Sequence, residues 1–179
     1  MKTSLVWLTV LAGVAALSVA AFAFSSGIRI NHTPSLPIGL WRISPAKAPV
    51  VGGQIVSFCP PDIAIFRAAL RERIIGPGHC PGGSEPMLKP VIAITGDEVH
   101  LTEPEIIVNG VVVPHTARVS LADVPILSEH VVPPGSYRVR QGEFWVTSTS
   151  HTRSFDSRYF GPVPLEQVQG TADPIFIWP

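Results

Sequence analysis

Three short segments of the 179-residue chain hold side chains whose types could do covalent chemistry together. In Thr33-Pro34-Ser35-Leu36-Pro37, a serine hydroxyl sits between two prolines, which hold the backbone in extended or turn conformations. Taken alone, this segment also reads as a linker. Lys89 lies in the apolar run that begins Leu88-Lys89-Pro90-Val91-Ile92. Burial there would push its ammonium toward the neutral amine, and a neutral lysine can take the proton of a serine hydroxyl. A solvated strand lysine is the alternative. Ser154-Phe155-Asp156-Ser157-Arg158-Tyr159-Phe160-Gly161 offers an Asp156–Arg158 ion pair and two hydroxyls able to orient a neighbour, and otherwise reads as a polar loop.

Other chemistries find less footing. The six histidines (His32, His79, His100, His115, His130 and His151) show no i, i+4 pair of the kind that binds zinc on a helix. His79, beside Cys80, reads as a loop residue. Two cysteines are too few for a zinc site of cysteines alone, and they form no Cys-x-x-Cys redox motif. No Gly-x-Ser-x-Gly elbow or phosphate-cradling loop occurs, so neither a metal nor a cofactor is expected. A Ser-His-Asp triad stays open, because triads are defined by geometry. Thirteen basic residues balance thirteen acidic ones, which gives no electrostatic case for nucleic acid.

The elements that must position these residues are partly legible. Ser4 to Phe24 is uncharged and long enough to cross a bilayer core as a helix. We favour a retained membrane anchor over residues 1–24, with a cleaved signal peptide as the alternative, since Ala21-Phe22-Ala23 resembles a cleavage site. Either reading exports residues 25–179, enough for one hydrophobic core. Ser25 to Pro49 reads as extended chain. Gln54–Phe58, Met87–Ile94, Tyr137–Val139 and Glu143–Thr147 read as strands, with Pro90 limiting the pairing of the second. Two β-branched runs flank Asn109-Gly110, which predicts a type I′ hairpin. Ile175–Trp178 is expected to close the sheet, and Leu121–Pro134 reads as loop.

One helix is predicted after Pro60-Pro61, N-capped by Asp62, with Ile63, Phe66, Leu70 and Ile74 as a buried stripe and Gly76-Pro77-Gly78 as its stop. It lies between Cys59 and Cys80. In an oxidising compartment these two can pair, which would staple residues 59–80 as a helical insert onto a β domain; two unpaired buried thiols are the alternative.

Together and in this order, the three segments resemble the Ser-Lys endopeptidases of the type I signal peptidase family. Thr33 to Pro37 matches the family's nucleophile pattern, Lys89 to Asp97 its Lys-x-Val-x-x-x-x-Gly-Asp box, and Ser154 to Gly161 its Ser-x-Asp-Ser-Arg-Tyr-aromatic-Gly box. Within the family the chain is most similar to the short conjugative-transfer peptidases of the TraF type, through Asn31-His32-Thr33-Pro34-Ser35-Leu36-Pro37-Ile38-Gly39-Leu40-Trp41, the two cysteines around an insert and the compact size.

The resemblance implies a mainly antiparallel β fold with a small helical insert, preceded by one transmembrane helix. It implies Ser35 as nucleophile, Lys89 as general base, Thr33 as a hydroxyl donor to the oxyanion beside the Ser35 N–H, and Ser154 as the residue that orients the Lys89 amine. Asp156 and Arg158 would brace the site, with a more direct part for Asp156 in the TraF branch. Arg153 departs from the family, where asparagine is common.

The implied protein is a serine endopeptidase in the bacterial inner membrane with its catalytic domain in the periplasm. Its partner would be a membrane-bound precursor, pilin-like or bearing a signal peptide, cut after a small-x-small motif and possibly cyclised. A general signal peptidase, a self-cleaving repressor-type protein and a non-catalytic exported binding module on the same fold are the other readings. The second would need a DNA-binding region where this chain has its apolar segment.

Overall fold

The structure, a computed structural model, describes residues 2–46, 49–103, 105–117 and 128–178. The chain opens with helix α1 (Lys2–Ser25). Its Val6–Ser25 stretch is the one described helix long and apolar enough to cross a membrane.

All strand pairings are antiparallel. The larger sheet is built from β1 (Ile28–Asn31), β2 (Gly39–Ser44), β3 (Ile55–Phe58), β4 (Met87–Ile94), β9 (Glu143–Val146), β10 (Val163–Pro164) and β11 (Val168–Ile177), in the spatial order β1-β2-β11-β3-β4-β9-β10. The smaller holds β5 (Glu98–Leu101), β6 (Ile106–Val108), β7 (Val111–Val113) and β8 (Gly135–Arg138), in the order β7-β6-β5-β8.

The segment expected to be merely extended is a paired ribbon, because Ile28 to Asn31 align with Arg42 to Gly39. The predicted hairpin is present: Asn109 and Gly110 both adopt positive φ, 50° and 81°, between β6 and β7. That is the backbone a type I′ turn demands.

Strand β4 spans the predicted residues and alternates strictly, with Met87, Lys89, Val91 and Ala93 buried. The two-residue period therefore puts the lysine on the same face as three core side chains. Pro90, expected to limit the pairing of β4, sits in a strand flanked by β3 and β9 on both sides. Its carbonyl accepts from Thr147 N at 3.1 Å, and the β4–β9 register shifts between Val91 and Ala93, which absorbs the missing donor.

The predicted closing strand is longer and more central than expected. β11 begins at Val168 and lies between β2 and β3, with a register shift between Pro174 and Phe176. A Cβ on Gly39 would come 2.1 Å from the Phe176 carbonyl, so that close approach requires glycine.

The insert helix α2 is shorter than its pattern suggested, Ala64–Arg71. Asp62 does not cap it; its carboxylate takes Arg67 Nε at 2.7 Å instead. The chain turns away at Arg73, whose φ is 57°. The buried face is thus Ile65, Phe66, Ala68 and Ala69, while Ile63 and Ile74 are exposed. Phe66 packs 4.7 Å from Phe160 and edge-on to Phe155, within a core that includes Phe58 and Phe144. Each such buried ring is worth about 1.5–3 kcal/mol of transfer free energy. Cys59 and Cys80 form the expected disulfide, with Cα atoms 5.4 Å apart. A four-residue helix, α3 (Ser157–Phe160), precedes β10, and a short 3-10 turn at Leu165–Gln167 follows it. Residues 121–127 of the Leu121–Pro134 loop lie outside the described residues.

Candidate active site

Ser35 sits on the connection between β1 and β2, whose base is closed by the Asn31–Gly39 pair. Asn31 holds this loop from inside. Its buried amide Nδ2 donates to the carbonyls of Thr33, Leu36 and Pro37 at 3.0–3.1 Å. Trp41 Nε1 donates to the Pro37 carbonyl as well, at 3.1 Å, and Leu36 packs with Trp41 and Ala172 beneath. The prolines limit the loop's freedom, and Asn31 and Trp41 select one conformation.

The hydroxyls form a chain with a readable direction. Thr33 Oγ1 donates to Asn31 Oδ1 at 3.0 Å and lies 3.1 Å from Ser35 Oγ. An amide oxygen only accepts, so the Thr33 proton points to Asn31 and the Ser35 hydroxyl donates to Thr33.

Lys89 is 5% exposed and donates from Nζ to Ser154 Oγ at 2.9 Å. It makes no ion pair among the described residues. Desolvation lowers its pKa to about 8; the Asp156 charge works in the opposite sense, and Arg158 adds to the lowering. Much of the lysine is therefore neutral near pH 8 and able to accept a proton.

Ser35 and Lys89 line one cavity of about 480 Å³, together with Thr33, Ser154 and Arg153. Its rim reaches Phe24 at the end of α1 and Ile75 of the insert. In this structure the Ser35 hydroxyl bonds to Thr33 and the Lys89 amine to Ser154. A proton transfer between them requires the Ser35 hydroxyl to rotate away from Thr33.

Asp156 and Arg158 are fully buried and paired through two parallel hydrogen bonds, Nε to Oδ1 and Nη2 to Oδ2, each 2.8 Å. Arg158 also donates to the carbonyls of Ala117, Thr152 and Ser154, which holds the loop carrying Ser154. Asp156 Oδ1 takes Arg158 N, and Oδ2 takes Ser148 N. With both oxygens engaged and no exposed area, the carboxylate braces the loop and offers no face to the cavity. The more direct part expected for Asp156 has no geometric counterpart.

Sequence reasoning overlooked Ser148. This buried serine donates from Oγ to the Ser35 carbonyl at 2.8 Å and accepts from the backbone N–H groups of Ser150 and His151. Its signal, a serine in a run of Ser and Thr, is too common to mark a site. Asn31 stood in a recognised motif, but its hub role was not legible.

The chain is similar to several known proteins. The family model "Signal peptidase, peptidase S26" matches residues 2–178. A "Plasmid transfer protein TraF" of Escherichia coli is 37% identical over 175 residues, covering 94% of this chain and 93% of that protein. A "Conjugal transfer protein TraF" of Agrobacterium fabrum is 35% identical over 170 residues, covering 92% and 91%. Among solved structures, a signal peptidase I of Enterococcus faecalis superposes with a TM-score of 0.40 at 20% identity, covering 70% of this chain and 97% of that one.

Proposed function

The chain belongs to the signal peptidase family, peptidase S26, and on that premise we propose that it is a membrane-anchored serine endopeptidase acting in conjugative transfer on a pilin-like exported precursor. The observation that carries the reading is a buried lysine, its pKa near 8, without an ion pair among the described residues and sharing a cavity with a loop-held serine. Residues 1–24 are the anchor, and residues 25–179 the catalytic domain on the periplasmic face of the inner membrane. Phe24 at the helix end lines the same cavity as Ser35, which supports a cut close to the bilayer. Ile30, Ile38, Phe176 and Trp178 are exposed on the neighbouring strands and segments, a surface suited to the lipid interface.

In the proposed reaction, neutral Lys89 takes the Ser35 proton and Ser35 Oγ attacks a peptide carbonyl. The Ser35 N–H and the Thr33 hydroxyl, once released from Asn31, stabilise the oxyanion. The Lys89 ammonium returns its proton to the departing amine, leaving an ester on Ser35. Water then gives a linear product. An amine of the precursor held in line would give a cyclic one, since effective molarities of about 10⁵ M or more exceed water's.

The test is processing of a pilin-like precursor encoded beside this protein, read by intact mass, with full-length protein in membranes. Ser35→Ala and Lys89→Ala should each reduce processing by at least about a thousandfold. Lys89→Arg should fail too, because guanidinium stays protonated. A cyclic product weighs one water less than the linear one. Wild-type processing by either alanine variant would overturn the dyad, and no processing by the unchanged protein would favour a binding module. Removal of many unrelated signal peptides would favour a general signal peptidase.

A further inference from the structure

The Gly76-Pro77-Gly78 turn after the insert helix is built around one side chain, Glu85. Glu85 N donates to the Gly76 carbonyl at 2.8 Å, and Gly76 N donates back to Glu85 Oε1 at 3.2 Å. A Cβ on Gly76 would stand 2.8 Å from that carboxylate, and one on Gly78 would stand 2.6 Å from the Glu85 Cα. Gly78 is thus needed for the turn to close over the Glu85 backbone, whereas a side chain at Gly76 would meet only the movable carboxylate. Pro77 and Ser84 bridge beside it, and the Cys59–Cys80 disulfide ties the neighbouring chain to β3.

The carboxylate so held lines the catalytic cavity. Among the described residues lining it, Glu85 is the sole acid. Among the described residues, Oε1 is engaged by Gly76, while Oε2 receives no hydrogen bond and Glu85 makes no ion pair. Of the lysines and arginines lining the cavity, Arg29 lies 3.8 Å over the Phe24 ring and donates to backbone carbonyls, Lys89 donates to Ser154, and the exposed Arg153 forms no ion pair with Glu85. A fixed, half-buried carboxylate with a free oxygen presents a site for a cation, where a charge-assisted hydrogen bond is stronger than in open water.

We propose that Glu85 is a specificity-determining residue of the cavity, one that receives a positively charged nitrogen of the precursor. The group is an ammonium or guanidinium, carried by a lysine or arginine side chain or by a free α-amine. The inference rests on the peptidase reading and adds to it a preference for cationic segments near the scissile bond.

The test uses the full chain in detergent, carrying Ser35→Ala so that binding is read without turnover. The probes are fluorescent peptides of one alanine-rich small-x-small sequence in three forms: N-acetylated and neutral, with a free α-amine, and N-acetylated with one lysine moved through the flanking positions. The protein should bind a cationic form about tenfold more tightly than the neutral one at low salt. Glu85→Gln keeps an oxygen for Gly76 N and loses the charge, so it should abolish that preference. Glu85→Lys should reverse it toward a peptide carrying glutamate. The cationic form that is preferred identifies the source of the nitrogen. Equal binding of all forms, an unchanged preference in Glu85→Gln, or no binding of any form overturns the proposal. If the Ser35-intact protein still cleaves these peptides, the peptidase reading survives that failure.

Discussion

Ser148 Oγ donates a 2.8 Å hydrogen bond to the carbonyl oxygen of Ser35, across 113 positions of sequence. The Ser148 N–H in turn donates to Asp156 Oδ2, at 3.0 Å. One buried serine therefore joins the loop of the proposed nucleophile to the Asp156–Arg158 pair that braces the loop of Ser154. We expect Ser148→Ala to leave the Ser35 carbonyl and two N–H groups without partners, at a cost of about 1–3 kcal/mol in stability. As a positioning residue it should lower kcat more than it raises KM. A denaturant melt and steady-state kinetics check this; an unchanged kcat would refute the positioning role.

Activity should rise with pH through the pKa of Lys89, near 8, because only the neutral amine accepts a proton. Ser154→Ala removes the acceptor that Nζ donates to, which favours the ammonium in the native protein. The variant should therefore be slower at every pH, with its midpoint moved to lower pH. A pH–rate profile that falls between pH 6 and 9, in folded protein, would contradict a lysine base.

Lys89 also burdens the fold in a pH-dependent way. Its folded pKa of about 8 lies below its ordinary value of 10.5, so between these the unfolded chain binds the extra proton and stability rises with pH. Below pH 8 the full penalty applies, roughly 3 kcal/mol from that difference. Lys89→Met should raise stability at pH 7 and flatten its dependence between pH 8 and 10.5, while abolishing activity. Thermal melts across that range decide the matter.

Asp156→Asn breaks the buried Asp156–Arg158 ion pair. Removing one partner of such a pair costs about 3–5 kcal/mol. Because Asp156 acts through Ser148 and the Ser154 loop, acylation and product release should decline together. Single-turnover and steady-state rates separate these steps. Undiminished stability with only release impaired would mean that the carboxylate works on substrate directly.

The sequence by itself determined those features that depend on near neighbours. The apolar run Met87–Ile94 drew β4 to its observed ends, while the packing of the sheet decided which face of it, the one carrying Lys89, is buried. Asn109-Gly110 made its own turn, since few other pairs accept positive φ twice in succession. The ordered motifs around Ser35, Lys89 and Ser154 pointed to one family before any contact was known. Tertiary structure decided the rest. β11 contains Gly170, Asp173 and Pro174, which no local rule calls strand; it is one because β2 and β3 supply partners on both sides. Helix α2 lost its predicted last turn and its cap once Arg67 claimed Asp62 and the chain turned at Arg73. Ser148 and Glu85 gained their places only through contacts made on folding. A hydroxyl or a carboxylate has the same chemistry anywhere along a chain, and burial and partners, which folding supplies, set what it can do.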